Sequence, residues 1–169
     1  ALSLISVLII ARRLGPANYG LVAVSMGIFY FSIWTSQLGL VVYLIRQPNL
    51  REDGAEQILA FFSTVGLGLC AVLWLTAPAF GWWTGHSEIT AVGRWLALPV
   101  WFEMVARVST GMLERELKFA EVGMIEALSQ CANYLVAVPL VLLNWSYWGP
   151  ILGIVVQCSV LLFLARRAH

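Results

Sequence analysis

Apolar residues in this chain come in long, nearly unbroken runs, and short polar or turn-forming segments separate them. The first run covers residues 1–14 and stops at Gly15-Pro16, because proline cannot donate a helix hydrogen bond. The second covers about 19–44 and ends in Arg46-Gln47-Pro48-Asn49, with Arg51, Glu52, Asp53 and Gly54 in the loop beyond. The third covers about 57–79, closed by Pro78 and the loop Phe80-Gly81-Trp82-Trp83-Thr84-Gly85-His86. The fourth, about 91–113, runs into Glu114-Arg115-Glu116-Leu117-Lys118. The fifth, about 121–143, is followed by Asn144-Trp145-Ser146-Tyr147-Trp148, and the sixth, about 149–165, by Arg166-Arg167. A helix needs about 20 apolar residues to cross a hydrocarbon core of about 30 Å. A membrane-spanning strand would instead alternate over roughly 9–11 residues. The pattern therefore predicts an all-α, polytopic membrane bundle of about six helices, with residues 1–169 as one domain.

The first run is short. Residues 1–10 would rise only about 15 Å as a helix, and its basic residues follow the apolar stretch, whereas a signal peptide carries them before it. It reads as the end of a truncated transmembrane helix. Composition supports the class: the chain is 60% hydrophobic and 11% charged, against roughly 25% charged in a soluble domain. A net charge of +1 gives no basic surface for nucleic acid.

Charge then orients the bundle. The loops after the second, fourth and sixth runs hold six basic residues, Arg46, Arg51, Arg115, Lys118, Arg166 and Arg167, against three on the other side, Arg12, Arg13 and Arg94. The excess predicts that the first side is cytoplasmic. Trp82, Trp83, Trp95, Trp145, Tyr147 and Trp148 then fall near the outer helix ends, where an indole keeps its ring in the apolar zone and its N–H among headgroups.

Catalytic chemistry has no foothold. The chain lacks a phosphate-binding Gly-rich Lys-Ser/Thr motif, HExxH and Cys-x-x-Cys. Cys70, Cys131 and Cys158 are widely separated within the runs and read as small apolar fillers. His86 and His169 have no partners at metal-ligand spacing. No cofactor, metal or catalytic set is expected.

Polar groups at membrane depth are costly and mark function or specific pairing. Glu103 and Arg107, four residues apart in the fourth run, share a helix face. Glu126, Ser129, Gln130 and Asn133 form one stripe on the fifth. Glu126 and Arg107 lie at similar depth on consecutive antiparallel helices and can pair. Two readings stay open: a polar cavity wall with Arg107 as the cation for an anionic substrate, or an ion pair that satisfies itself. Ser25, Ser32, Ser36 and Gly39 form a stripe of small residues that lets helices pack closely. Gln37 is a further cavity candidate. Pro99 and Pro139 permit kinks.

Several motifs point to one family. Ala11-Arg12-Arg13-Leu14-Gly15-Pro16-Ala17-Asn18-Tyr19-Gly20 resembles the Ala-Arg-x-Leu-Gly-Pro-x-x-[Phe/Tyr]-Gly signature of polysaccharide and O-antigen flippases. These belong to the multidrug/oligosaccharidyl-lipid/polysaccharide exporter superfamily. Leu38-Gly39-Leu40 with Leu44-Ile45-Arg46 is similar to that family's second-helix ending, with Gln37 where an acidic residue is frequent. Leu113-Glu114-Arg115-Glu116-Leu117-Lys118-Phe119 is similar to its Leu-x-Arg-Glu-Leu-x-Phe loop, and Tyr147-Trp148-Gly149 to its turn before the sixth helix.

The resemblance implies the N-terminal half of a 12–14-helix transporter that carries polyprenyl-pyrophosphate-linked oligosaccharide across the bacterial inner membrane. Its partners would be that lipid-linked substrate, membrane lipids, and the polysaccharide polymerase and glycosyltransferases. Arg107, Glu103, Glu126, Gln130, Asn133 and Gln37 would contribute to the cavity. Arg12 and Arg13 would hold headgroups, or receive a pyrophosphate, at the outer face. A cation-coupled drug antiporter using Glu103 or Glu126, and a non-transporting scaffold for synthesis enzymes, remain open alternatives.

Overall fold

A computed structural model of the protein describes residues 2–37 and 52–168, with backbone alone at 2–5, 9, 17, 35–37 and 52–55. The expectations for Arg46, Arg51, Ser36, Gly39, His169, the side chain of Gln37 and the Leu38–Arg46 motif lie outside the described residues. Five helices form the described fold: α1 Leu2–Gln37, α2 Glu52–Thr84, α3 Ser87–Arg115, α4 Phe119–Leu142 and α5 Trp148–Ala168. No strand occurs among the described residues. Stretches of α2 to α5 are long and apolar enough to cross a membrane, and the bent α1 adds a fifth candidate span. The chain is a multi-pass membrane protein.

The first two predicted runs are joined, not separated by a loop. Ser6–Pro16 and Asn18–Trp34 meet at a bend of 118°. Gly15 makes it, with φ 71° and ψ 169°, a conformation only glycine adopts without strain. Pro16 follows Gly15 at the bend, where it has no N–H to leave unpaired, so the chain turns without a separate loop. Asn18 Nδ2 also donates to Leu14 O across the bend at 3.2 Å.

The third run is also longer than predicted. Pro78 lies inside α2, which continues through Trp82-Trp83 to Thr84. The stop is Gly85, at φ 73°, with His86 N donating back to Gly81 O at 3.1 Å, a left-handed helix cap. The expected outer loop thus shrinks to Gly85-His86. Proline is tolerated in membrane helices because neighbouring groups take up the freed carbonyl, so Pro78 is a weaker stop signal than Gly85. The turn after α3 closes the same way with Leu117 (φ 60°), and the turn after α4 with Asn144 (φ 64°).

Helix α3 touches all four other helices. It follows from a simple sorting: 56% of its most apolar window is buried against 11% for α2, so the more polar helix goes inside and the more apolar one faces lipid. Contact pairs fix the directions. Gly66 meets Met104 and Trp101, while Gly93 meets Ala77, so α2 and α3 are antiparallel. Gly149 meets Val141 and Gly153 meets Asn133, so α4 and α5 are antiparallel. Trp95 stacks edge-to-face on Trp148 with centroids 6.3 Å apart, and Val92, Leu96 and Val100 share a core with Ile151, Ile154 and Cys158, so α3 and α5 are parallel. Phe29 and Ile33 of α1 complete that core. Arg115, Lys118, Arg166 and Arg167 consequently gather at one end of the bundle, and Trp82, Trp83, Trp95, Trp145 and Trp148 toward the other. Ser25 and Ser32 of the small-residue stripe are buried and donate to Leu21 O at 2.9 Å and Ile28 O at 2.8 Å on their own helix.

Candidate functional site

Two polar groupings occupy the interior, one charged and one neutral. The charged one joins α3 and α4. Arg107 Nε donates to Glu103 Oε1 at 3.0 Å, and its NH2 approaches the same oxygen at 2.9 Å. Helical spacing of four residues makes this contact local. Arg107 NH1 reaches Glu126 Oε1 of α4 at 3.4 Å, and Cys158 Sγ of α5 lies 3.8 Å from Glu103 Oε2. Glu103 is buried, so a cation beside it is required; a buried unpaired carboxylate costs several kcal/mol. Glu126 is half exposed and depends far less on the pair. Two carboxylates share one guanidinium, so the group carries net negative charge.

The neutral grouping joins α4 to α5. Asn133 Nδ2 donates to Gln157 Oε1 at 2.7 Å, and Gln157 Nε2 donates to Gln130 Oε1 at 3.0 Å. Ser129, on the same stripe, is buried and bonds its own helix at Glu126 O, 2.9 Å away. The approach of the helices depends on Gly149 and Gly153, four apart on α5. A Cβ at Gly153 would meet Ala137 Cβ at 2.9 Å and Asn133 O at 3.2 Å; one at Gly149 would meet Ala137 O and Val141 N at 3.1 Å. Such small-xxx-small faces let membrane helices pack backbone to backbone. Gln157 continues that face one turn on, which brings its amide between Gln130 and Asn133.

These two amides line a cavity of about 300 Å³ between the two arms of α1, α4 and α5. Its other polar side chains among the described residues are Tyr19, Tyr30 and Tyr134, and no charged side chain lines it among those residues. Val7 and Ile10 come from the first arm of α1, and Val22 and Met26 from the second, so the bend at Gly15 makes two of its walls. A larger recess of about 760 Å³ between α1 and α2 is lined by apolar side chains; its two hydroxyls, Ser32 and Thr76, donate to Ile28 O and Val72 O at 2.8 Å on their own helices. Chemistry, not size, distinguishes the site.

The expected residues therefore fall into three places. Gln130 and Asn133 stand on the cavity wall. Glu103, Arg107 and Glu126 meet one another and are not among its lining residues. Arg12 and Arg13 are exposed on the first arm of α1, ahead of the bend. Arg94 lies with its guanidinium 4.5 Å from the Trp74 ring centre, a cation–π contact. Among the described residues no cluster of His, Cys, Asp or Glu is arranged to hold a metal. Sequence reasoning missed Gln157 and the three tyrosines. A lone amide in an otherwise apolar run, and the aromatic position of the Ala11–Gly20 motif, were the available signals.

A profile of the family described as polysaccharide biosynthesis protein matches residues 9–166. The chain is 23% identical over 159 residues to the succinoglycan biosynthesis transport protein ExoT of Rhizobium meliloti (strain 1021). The match covers 94% of this chain and 32% of that protein, so the chain spans about a third of its relative. No solved structure matches.

Proposed function

The chain belongs to the polysaccharide biosynthesis protein family, and we propose that it is one helical lobe of a transporter for polyprenyl-pyrophosphate-linked oligosaccharide in the bacterial inner membrane. The observation that carries this reading is the cavity walled by amides and tyrosines, with no charged side chain among its described lining residues. A saccharide is neutral, rich in hydroxyls and has apolar ring faces. Amides exchange hydrogen bonds with its hydroxyls, and aromatic rings cover its faces. Apolar solutes need neither. The lobe performs no bond chemistry; it shelters sugar from lipid while the polyprenyl chain stays in the bilayer. It works beside the glycosyltransferases that build the unit and the polymerase that joins units.

A leaflet assay tests this. Full-length protein is reconstituted in vesicles holding lipid-linked oligosaccharide, and the sugar exposed on each face is labelled. Movement of label between faces, dependent on the protein, is the expected result. Unchanged distribution, with polymer assembly still requiring the protein, would replace this reading with a scaffold.

A second reading rests on the charged group. Two carboxylates stand around the one guanidinium of Arg107, an excess of acid over base that could hold the coupling cation of a drug antiporter. Cation-gradient-driven dye efflux by the full-length protein would favour it, and loss of that efflux in Glu126→Gln would tie it to this group.

A further inference from the structure

Arg94 is exposed on α3 and takes no part in the cavity or the charged group. A cation at membrane depth needs a counter-charge. Among the described residues no carboxylate pairs with Arg94, and no oxygen accepts from its N–H groups. It rests instead against the half-exposed ring of Trp74 on α2, with its guanidinium carbon 4.5 Å from the ring centre. A ring face attracts the cation and holds it, but it supplies no negative charge. The helix α3 has 29 residues, about 43 Å against a core of about 30 Å, so about 6 Å projects at each end. Arg94 is seven residues past Ser87, about 10 Å along the axis, which puts its Cα roughly 4 Å inside the core. Helical side chains lean toward their N-terminus, which for α3 is the tryptophan-rich end. The guanidinium therefore reaches up to the headgroup phosphates.

The flank beneath Arg94 suits hydrocarbon. Leu98 and Trp101 follow Arg94 at i+4 and i+7 on one face of α3, and Leu67 and Ser63 precede Trp74 at i−7 and i−11 on one face of α2. The helices are antiparallel, so both sets lie deeper than the cation. Leu67 and Leu98 are exposed. Trp101 Nε1 donates to Ser63 Oγ at 3.3 Å, so these two polar groups satisfy each other across the seam and ask nothing of an acyl chain.

We propose that Arg94 and Trp74 form a headgroup site for an anionic phospholipid, whose phosphate the guanidinium binds and whose acyl chains lie along the α2–α3 flank below. Charge complementarity selects this occupant. A guanidinium meets a phosphate with paired N–H donors, and no described carboxylate competes for it. The Trp74 ring restrains the side chain beforehand, so less freedom is lost on binding. No described residue of α2 or α3 lines the cavity. The occupant is therefore a resident lipid of the bilayer, not the cargo of the cavity, and the site does not depend on what that cavity carries.

The test is native mass spectrometry of the full-length protein, stripped of lipid in detergent and titrated with dioleoylphosphatidylglycerol, dioleoylphosphatidylcholine and inorganic phosphate. The expected result is one tightly held phosphatidylglycerol that Arg94→Gln weakens about tenfold, the loss of one charge-assisted contact. Phosphatidylcholine should bind the two proteins equally. Trp74→Leu keeps the cation and removes the ring that holds it. It should weaken phosphatidylglycerol about threefold, which separates a formed site from charge alone. Arg115, Lys118, Arg166 and Arg167 at the other end of the bundle are common to all the proteins compared, so their lipid binding cancels in the differences.

If Arg94→Gln does not fold, Arg94→Lys takes its place. It keeps the charge without the planar fork and should bind phosphatidylglycerol several-fold more weakly. Unchanged phosphatidylglycerol affinity in the Arg94 variant or in Trp74→Leu would overturn the site. An equal loss of phosphatidylcholine would overturn its selectivity for an anionic lipid. Displacement of phosphatidylglycerol by millimolar inorganic phosphate would overturn the lipid assignment in favour of a free-phosphate site.

Discussion

Arg107 and Glu103 are joined twice through one carboxylate oxygen, at 3.0 and 2.9 Å, with Glu103 buried and Arg107 half-buried. The same guanidinium reaches the half-exposed Glu126 at 3.4 Å. One cation thus serves two acids in different surroundings, and the two contacts should differ sharply in energy. Arg107→Gln leaves the Glu103 carboxylate buried with no cation and should cost about 3 kcal/mol. Glu126→Gln removes a partner open to solvent or headgroups and should cost under about 1 kcal/mol. Adding Glu103→Gln to Arg107→Gln should restore most of the loss. Thermal unfolding of the four proteins in one detergent checks this, and equal losses for the two single variants would count against it.

The α4–α5 seam makes a second expectation specific. Gly153→Ala places a methyl against Ala137 Cβ and the Asn133 backbone. Overpacking of this kind costs about 1–3 kcal/mol and should also pull Gln157 away from Gln130 and Asn133. Gly123→Ala, where an added Cβ meets nothing within 4 Å, should be neutral or slightly stabilising. A melting temperature lowered by Gly123→Ala as far as by Gly153→Ala would mean that the close approach is not what holds these helices.

Gly15 offers a different test, because a Cβ there also meets nothing within 4 Å. Any effect of Gly15→Ala must come from the backbone, held at φ 71° and ψ 169°. Holding alanine in that region costs of order 1–3 kcal/mol. The relaxed alternative straightens α1 and removes one wall of the cavity. Spin labels at Val7 and Val24, on the two arms, should therefore move apart in Gly15→Ala; an unchanged distance would show that alanine is accepted at the bend.

Helical class and most turns were legible because the physics is local. Long apolar runs leave the backbone no partner but itself in lipid, and Gly15-Pro16, Lys118 and Asn144 mark real breaks. The contact of Arg107 with Glu103 follows from a spacing of four, and that with Glu126 from depth on antiparallel neighbours. Gln157 was not legible. A single amide has no periodicity to show which face it takes, and its role appears only once Gly149 and Gly153 bring α4 against α5. The reach of α2 to Thr84 was hidden for another reason: tryptophan and threonine at a helix end read as loop in composition but extend a helix through the interfacial zone. The cavity itself is a product of the bend in α1, which depends on the angle made at Gly15 rather than on the presence of a turn there.

Leu117 supplies the last expectation. It lies in the left-handed region at φ 60°, where a side chain's Cβ crowds the carbonyl and costs about 1–2 kcal/mol. The turn needs that conformation: Leu117 N donates to Glu114 O at 3.0 Å and Lys118 N to Leu113 O at 3.0 Å, closing the end of α3. Its side chain is 75% exposed, so little packing compensates the strain. Leu117→Gly should then stabilise the fold by about 0.5–1 kcal/mol, the relief of strain less the extra freedom of glycine in the unfolded chain. Leu117→Val, β-branched and worse in this region, should destabilise by a similar amount. The opposite order in thermal unfolding would show that the exposed leucine is held by a contact outside this bundle, since nothing within the described residues requires a side chain there.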